Sequence, residues 1–312
     1  MTHEPITIRD AASGASAKIS PQVGFNCYSF IAASASGPVE TLWSAADFPG
    51  GQARPSGSGI PLMFPFAGRI RGTSFDFEGR RYELTAGDGQ GNAIHGFVID
   101  RPWRVTSTAA DRVVGTFQAS VDEPELLKHW PADFCITADY RVSGSTLLTD
   151  YTIDNPDSKP LPFAFGTHPY FRVPLGGKSA AECNVTVPVA RSWELVGLLP
   201  TGKTSPAEGT LARGMAFGEM KFDSVFDEIR FENHRAAATV HDPASGRTLT
   251  MTFDDQFPAA VVYNPPHREA VCIEPYTTIP DPFFLKAQGI DPHLRVLPPG
   301  QSFRTRIEIR MD

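Results

Sequence analysis

Two ionisable side chains interrupt apolar stretches of the sequence. His168 lies inside the aromatic run Pro162-Phe-Ala-Phe-Gly-Thr-His-Pro-Tyr-Phe-Arg172, and Glu274 follows Val271-Cys-Ile273 and precedes Pro275. Partial burial shifts the pKa of such groups, and enzymes use this shift to set proton donors and acceptors. The pattern therefore favours a general acid at His168 and is compatible with a general base at Glu274. Two structural alternatives stay open, a core histidine bonded to a backbone carbonyl and an ion pair between Glu274 and an arginine.

Three further polar residues are candidates for the same site. His95 follows a glycine-rich stretch and is expected to leave a loop at the start of a strand, although an ordinary loop histidine fits this position equally well. Arg69 lies on an apolar strand bounded by prolines, where its guanidinium group can donate to a hydroxyl or a carboxylate. Asp223 and Asp227 are by themselves typical of solvated turns, and only their neighbours suggest that they bind a ligand.

Short alternating apolar runs, separated by Gly, Pro, Asn and Asp, recur along the chain and are typical of strands. The stretch 73–84 predicts a hairpin with its turn at Glu78-Gly79, and similar hairpins are predicted over 103–121, 136–153 and 238–253. One helix is predicted over 123–130, because acidic residues and a proline stand at its start and Pro131 ends it.

Many strands without crossover helices predict an all-β fold, a large antiparallel β-sandwich, rather than a parallel α/β sheet. The 27 glycines and 28 prolines are spread along the chain instead of being concentrated in a linker. Residues 1–312 are therefore predicted to form a single domain.

The composition limits the expected partners and location. Hydrophobic residues make up 41% and charged residues 20%, so the chain can bury a sizeable core. The net charge of -7 disfavours nucleic acid as a partner, because proteins that bind its phosphates carry clustered Lys and Arg. The four cysteines form no CxxC pair, which favours a reduced cytoplasmic protein. Neither a secretion signal nor an apolar run of about 20 residues is recognised, so no membrane association is expected.

Six short motifs together resemble the aldose 1-epimerase, or galactose mutarotase, family. They occur in the family's order over most of the chain, and they are Phe64-Pro-Phe-Ala-Gly-Arg-Ile70, Ile94-His-Gly96, Thr167-His-Pro-Tyr-Phe171, Asp223-Ser-Val-Phe226, Cys272-Ile-Glu-Pro275 and Leu297-Pro-Pro-Gly300. No single string is specific, but six strings in the same order are hard to obtain by chance.

The resemblance implies a large β-sandwich that binds a free sugar on its concave face, with neither a metal nor an organic cofactor in the reaction. By motif, Glu274 corresponds to the base that takes the proton of the C1 hydroxyl, and His168 to the acid that protonates the ring oxygen. His95 corresponds to a second histidine near the ring oxygen, and Arg69 and Asp223 to residues that hold sugar hydroxyls. The implied reaction interconverts α and β anomers by ring opening and reclosure. A small-molecule sugar is thus the expected partner, and a monomer or homodimer the expected assembly.

Gly68 departs from the family pattern, in which Asn often stands immediately before the arginine. The departure implies a lost hydroxyl contact and a wider site, so the resemblance does not specify the sugar. Hexose-6-phosphate epimerases form a sister group, and Arg69, Arg71 and Arg172 are candidate phosphate ligands for that alternative.

Two other functions fit parts of the pattern. The two candidate histidines and Glu274 have the ligand types of a non-haem iron facial triad, although their wide spacing in the sequence disfavours it. A carbohydrate-binding protein without catalysis would instead stack a sugar on Trp43, Phe97 or Phe284. An acid and a base together favour catalysis, because binding alone does not require both.

Overall fold

The structure is a computed structural model that describes residues 4–50, 53–207 and 209–312. Strands account for 46% and helices for 8%, which confirms the predicted all-β class. The strands of the first half are, in chain order, β1 (Ile6–Arg9), β2 (Ser16–Ser20), β3 (Asn26–Ala32), β4 (Val39–Glu40), β5 (Leu62–Met63), β6 (Arg69–Ile70), β7 (Ser74–Phe77), β8 (Arg80–Glu83), β9 (Ala93–Ile94), β10 (Arg104–Thr108), β11 (Arg112–Gln118), β12 (Cys135–Ser143) and β13 (Thr146–Asp154). Those of the second half are β14 (Leu161–Phe163), β15 (Gly166–Thr167), β16 (Tyr170–Arg172), β17 (Asn184–Thr186), β18 (Arg191–Val196), β19 (Leu199–Pro206), β20 (Met215–Ala216), β21 (Asp223–Asp227), β22 (Arg235–Asp242), β23 (Arg247–Asp254), β24 (Ala259–Tyr263), β25 (Ala270–Tyr276), β26 (Arg295–Leu297) and β27 (Ser302–Met311).

Two large antiparallel sheets form the main layers. One has nine strands in the order β10-β11-β12-β13-β27-β23-β22-β17-β20. The other has eight strands, in the order β19-β18-β21-β24-β25-β15-β5, with β16 also paired to β25. The main hydrophobic core includes Ile136 and Tyr140 from the first sheet and Val262 and Ile273 from the second. The predicted antiparallel sandwich is therefore confirmed.

The predicted hairpins form. Phe75 of β7 lies opposite Tyr82 of β8, and the turn residues Glu78 and Gly79 both have positive φ, 49° and 73°, as a tight two-residue hairpin turn requires. The pairs β10 with β11, β12 with β13 and β22 with β23 are antiparallel neighbours as expected. Local turn chemistry and alternation were enough to identify these elements.

The helical elements are short, and the prediction for 123–130 is wrong in detail. The chain there forms a 3-10 helix over Pro124–Lys128, preceded by α1 (Ala119–Asp122). Pro124 begins this segment, and Pro131 limits its extension because a proline disfavours helical backbone in the residue before it. The helix α2 (Pro282–Ala287) was not predicted, and further 3-10 helices lie at Phe48–Gly50, Pro55–Gly57 and Ala180–Glu182. None of the helices in the described ranges has the length and apolar character needed to cross a membrane.

Candidate active site

Side chains along β25 point alternately to the hydrophobic core and to a cavity on the other face of the sheet. Val271 and Ile273 belong to the main core, whereas Glu274 and Tyr276 line a cavity on the opposite face of the eight-stranded sheet. All seven residues of β25 are buried, and the strand is interior to the sheet, with β24 paired to one edge and β15 and β16 paired to the other. The strand thus carries a buried carboxyl group to the cavity wall.

The register of the neighbouring strand places His168 beside Glu274. Gly166 pairs with Tyr276, so the residue two positions after Gly166 lies across from Glu274. His168 Nε2 is 3.3 Å from Glu274 Oε1, and the His168 ring stacks on Tyr170 with centroids 4.8 Å apart. The structure therefore brings the predicted acid and the predicted base into contact, although the two are more than a hundred residues apart in sequence.

His95 reaches the same cavity from a tight turn. Its φ is 64°, and its backbone N–H donates to the Gly68 carbonyl at 2.8 Å. The His95 ring lies edge-on to His168, with centroids 5.7 Å apart. Its Nδ1 is buried without a hydrogen-bond partner among the described residues. A buried nitrogen without a partner on a cavity wall is a candidate contact for a ligand.

Gly96 fixes this turn, and we expect its replacement to be costly. It has a φ of +75°, and a Cβ there would lie 2.2 Å from the Phe64 carbonyl oxygen. Gly96→Ala should therefore lower the free energy of unfolding by roughly 3–5 kcal/mol, because backbone strain and a backbone clash add. Gly246→Ala is the matched control, since Gly246 has a φ of +71° but open space around the Cβ position. It should cost only about 1–2 kcal/mol. If urea unfolding gave the same loss of free energy of unfolding for both variants, the close approach to the Phe64 carbonyl would not contribute to the cost.

Arg69 and Asp223 supply polar groups on other walls. The Arg69 Nε donates to Asp88 Oδ2 at 3.2 Å. Burial raises the pKa of Asp88, but hydrogen bonds from Asn92 and the charge of Arg69 outweigh it and lower that pKa to about 2. Asp88 therefore stays ionised and orients the guanidinium group. Asp223 lies opposite Tyr263 at the start of β21, and partial burial raises its pKa while Arg69 opposes this rise.

Burial shifts the pKa values of Glu274 and His168. Desolvation raises the pKa of Glu274 well above its ordinary value, and a hydrogen bond from Tyr276 offsets this only in part. Desolvation lowers the pKa of His168 to about 3 and also lowers that of His95, where the charge of Arg69 acts in the same direction. Between the pKa values of His168 and Glu274 the pair carries one proton, held by Glu274 next to a neutral His168.

The five predicted site residues all line one cavity of about 290 Å³. Several other residues on its wall were not predicted from the sequence, and they are Arg54, Ser56, Tyr170, Tyr263, His267 and Tyr276. Tyr276 was detectable, because it stands two residues after Glu274 on the same face of a strand. Arg54 carried no signal, since it comes from an irregular loop. Trp43, considered for sugar stacking, also lines the cavity, donates to Glu269 at 2.7 Å and stacks on His267.

Other residues considered from the sequence lie elsewhere. Arg71 donates to Asp281 at 3.1 Å and its guanidinium group lies 4.0 Å from the centre of the Phe284 ring, so both Arg71 and Phe284 are engaged in the structure away from the cavity. As far as the structure describes the wall, neither Arg172 nor Phe97 is part of it. Of the three candidate phosphate ligands, only Arg69 therefore faces the cavity.

Gly68 has a structural explanation. Its φ is +66°, and a Cβ there would lie 2.9 Å from Pro280 Cγ and 3.2 Å from Tyr276 Cε2. These two rings fill the room that a side chain at position 68 would need. The expectation that glycine widens the site is therefore wrong at this wall.

The facial-triad alternative requires His95, His168 and Glu274 to converge on one point. The ligand atoms that converge in the described part of the chain belong instead to His168, Cys272 and Glu274, within 4.8 Å of one another. Burial raises the pKa of Cys272 well above its ordinary value, which disfavours the thiolate that binds metals. The triad considered as an alternative is therefore not the set of ligand atoms that converges in the described part of the chain.

Fold and site together define a β-sandwich protein with a buried histidine and glutamate in contact on the wall of a small cavity. Residues 6–310 match the family described as aldose 1-epimerase. The chain belongs to the aldose 1-epimerase family, as the motifs predicted.

Solved structures share this fold. A galactose mutarotase-like protein from Clostridium acetobutylicum is 24% identical, with a TM-score of 0.87 over 98% of this chain and 95% of that one. An aldose epimerase homologue from C. elegans is 18% identical, with a TM-score of 0.79 over 99% and 98%. A galactose 1-epimerase from Lactobacillus acidophilus NCFM is 19% identical, with a TM-score of 0.76 over 99% and 94%. Identities this low establish the fold alone, and no curated protein matches the chain.

Proposed function

We propose that this protein is an aldose 1-epimerase that interconverts the α and β anomers of a free aldose. The observation that supports it is the contact of 3.3 Å between His168 Nε2 and Glu274 Oε1 on the wall of a cavity of about 290 Å³. The C1 hydroxyl and the ring oxygen of a pyranose are bonded to the same carbon. An acid and a base that act on both oxygens must therefore be close neighbours, as these two groups are.

In the proposed reaction Glu274 takes the proton of the C1 hydroxyl while His168 gives a proton to the ring oxygen. The bond between C1 and the ring oxygen breaks, and a C1 carbonyl forms. Rotation about the C1–C2 bond presents the other carbonyl face, and the reverse transfers close the ring. Each transfer contributes roughly 10²–10⁴-fold. Arg69 and Asp223 hold hydroxyls of the sugar, and His95 lies on the side of the ring oxygen.

The number of protons on the pair is the same before and after each ring opening. The resting pair holds its proton on Glu274, and the direct contact with His168 lets that proton move to the imidazole when a sugar hydroxyl hydrogen-bonds to the carboxylate. The reactive form, with ionised Glu274 and protonated His168, is thus a tautomer of the resting form rather than a different charge state.

This one-proton requirement predicts the dependence of kcat/KM on pH. The rate should be constant from mildly acidic to neutral pH, since burial lowers the pKa of His168 to about 3 and raises that of Glu274. It should fall on the alkaline side, where Glu274 loses the last proton of the pair. Initial rates corrected for spontaneous mutarotation at each pH measure this. An acidic limb near the ordinary pKa of 6.5 for histidine would contradict it.

A second candidate is a hexose-6-phosphate 1-epimerase, and Arg54 is the observation that favours it. Arg54 lines the cavity and is exposed, and it makes no ion pair with the described residues. Arg69, by contrast, is already paired with Asp88. A cation without a partner at the cavity wall can bind a phosphate ester.

Polarimetry of freshly dissolved α-glucose, α-galactose and their 6-phosphates tests both candidates. Acceleration of the free sugars supports the main proposal, and acceleration confined to the 6-phosphates supports the second. Binding without acceleration, measured by calorimetry, would indicate a carbohydrate-binding relative without catalysis.

We also infer a cytoplasmic location, supported by four cysteines that are all free thiols in the structure.

A further inference from the structure

Tyr276 is hydrogen-bonded to the proposed base. Its hydroxyl donates to Glu274 Oε2 at 2.9 Å, while Oε1, the other carboxyl oxygen, lies 3.3 Å from His168 Nε2. On its far side the hydroxyl lies 3.6 Å from Met63 Sδ. Tyr276 and Glu274 are both 1% exposed, so water does not compete for this contact. One oxygen of the carboxyl group is therefore held in place, and the other faces His168.

Gly166 provides the space that the Tyr276 ring occupies. It lies directly opposite Tyr276 in register, and a Cβ on it would be 2.7 Å from Tyr276 Cδ1 and 2.9 Å from Ala67 Cβ. The backbone of Gly166 lies outside the left-handed region, so its conformation does not require glycine. The requirement comes from its neighbours instead. On the other edge of the ring, Gly68 likewise leaves room for Cε2.

Building on the proposed function, we propose that Tyr276 is a positioning residue for Glu274. Its hydroxyl fixes the carboxyl group so that Oε1 faces both His168 and the C1 hydroxyl of the sugar. No proton of the reaction passes through Tyr276. Burial raises the pKa of the phenol well above 10.0, so it remains a donor throughout the cycle. Because the bond is stronger to a carboxylate than to a carboxylic acid, it also favours the ionised form that the reaction requires.

Tyr276→Phe removes the hydroxyl and keeps the ring. We expect kcat to fall roughly 10- to 100-fold, the usual effect of one hydrogen bond to a charged group, with little change in KM. The alkaline limb of kcat/KM should move to higher pH, because the bond that lowers the pKa of Glu274 is gone. Tyr140→Phe is the matched control, since Tyr140 is fully buried in the main core, and it should change neither quantity. Wild-type kcat and an unmoved limb in Tyr276→Phe would overturn the proposal.

A readout that does not depend on activity separates this inference from the proposed function. The carbonyl stretch of protonated Glu274, identified by its loss in Glu274→Gln, can be followed by infrared difference spectroscopy as pH rises. In Tyr276→Phe this band should persist to higher pH than in the wild type. Gly166→Ala displaces the Tyr276 ring without removing the hydroxyl, and it should also shift the loss of this band to higher pH. An unchanged midpoint in Tyr276→Phe would overturn the positioning role, whereas inactivity of the wild type would count against the proposed function alone.

Discussion

Glu274→Gln should reduce the enzymatic acceleration of anomer exchange by roughly 10²–10⁴-fold, because the amide cannot accept the proton of the C1 hydroxyl. The substitution preserves the shape of the side chain and an oxygen for the Tyr276 hydroxyl, so the cavity should stay intact. Initial rates by polarimetry on the best sugar of the substrate panel measure the loss. Glu308→Gln, on β27 of the other sheet, is the control and should retain full activity.

The same variant should be more stable than the wild type at alkaline pH. Glu274 has a folded pKa raised above its ordinary 4.5, so the folded protein holds a proton that the unfolded chain releases, and stability falls as pH rises through this window. Glutamine removes this dependence. We expect the two proteins to unfold at similar urea concentrations at pH 4. Above that pH, the free energy of unfolding of the wild type should fall relative to that of Glu274→Gln by about 1.4 kcal/mol for each pH unit, up to the folded pKa. Lower stability of the variant at pH 8 would contradict a raised pKa of Glu274 in the folded protein.

His168→Ala should cause a loss of similar size, because it removes the group that protonates the ring oxygen. The substitution removes the contact with Glu274 and the stacking on Tyr170, but the side chain lies on the cavity wall and its Nδ1 has no hydrogen-bond partner among the described residues. The fold should therefore persist, as judged by circular dichroism and thermal unfolding. Polarimetric rates measure the loss of activity.

Added imidazole distinguishes a chemical role of His168 from a structural one. The truncated side chain leaves space open to the cavity, and we expect imidazole to restore part of the activity in proportion to its protonated fraction. His241→Ala, on β22 of the nine-stranded sheet, is the control and should remain fully active without imidazole. Near-normal activity of His168→Ala would remove His168 from the mechanism.

The sequence predicted the fold well because each strand carries its own local signal. Alternation placed β12 and β13, and turn chemistry placed Glu78-Gly79. The helix over 123–130 was less accurate, since its prolines allow a 3-10 turn as readily as an α-helix. Only the structure, however, shows how the strands are ordered in each sheet, because that order depends on contacts between distant segments.

The five predicted site residues line one cavity, and two of them carry a signal of their own in the sequence. Glu274 and His168 are ionisable groups in apolar strands, and that conflict is visible in the sequence. His95, Arg69 and Asp223 depended on the family resemblance. Arg54 could not be found in either way, since a loop brings it to the wall. The contact of 3.3 Å between His168 Nε2 and Glu274 Oε1, and the space that Gly166 leaves for the Tyr276 ring, both follow from the register of β15 and β25. No local sequence pattern specifies that register.

The central claim is that the Glu274 and His168 pair exchanges the anomers of a free aldose. Two-dimensional exchange spectroscopy of glucose and galactose at anomeric equilibrium tests it most directly, because it measures interconversion without net reaction. We predict exchange cross-peaks between the α and β anomeric protons of at least one sugar with the wild type, and none with Glu274→Gln at the same concentration. Absence of cross-peaks with the wild type for both sugars and their 6-phosphates, or equal cross-peaks in the variant, would contradict the claim.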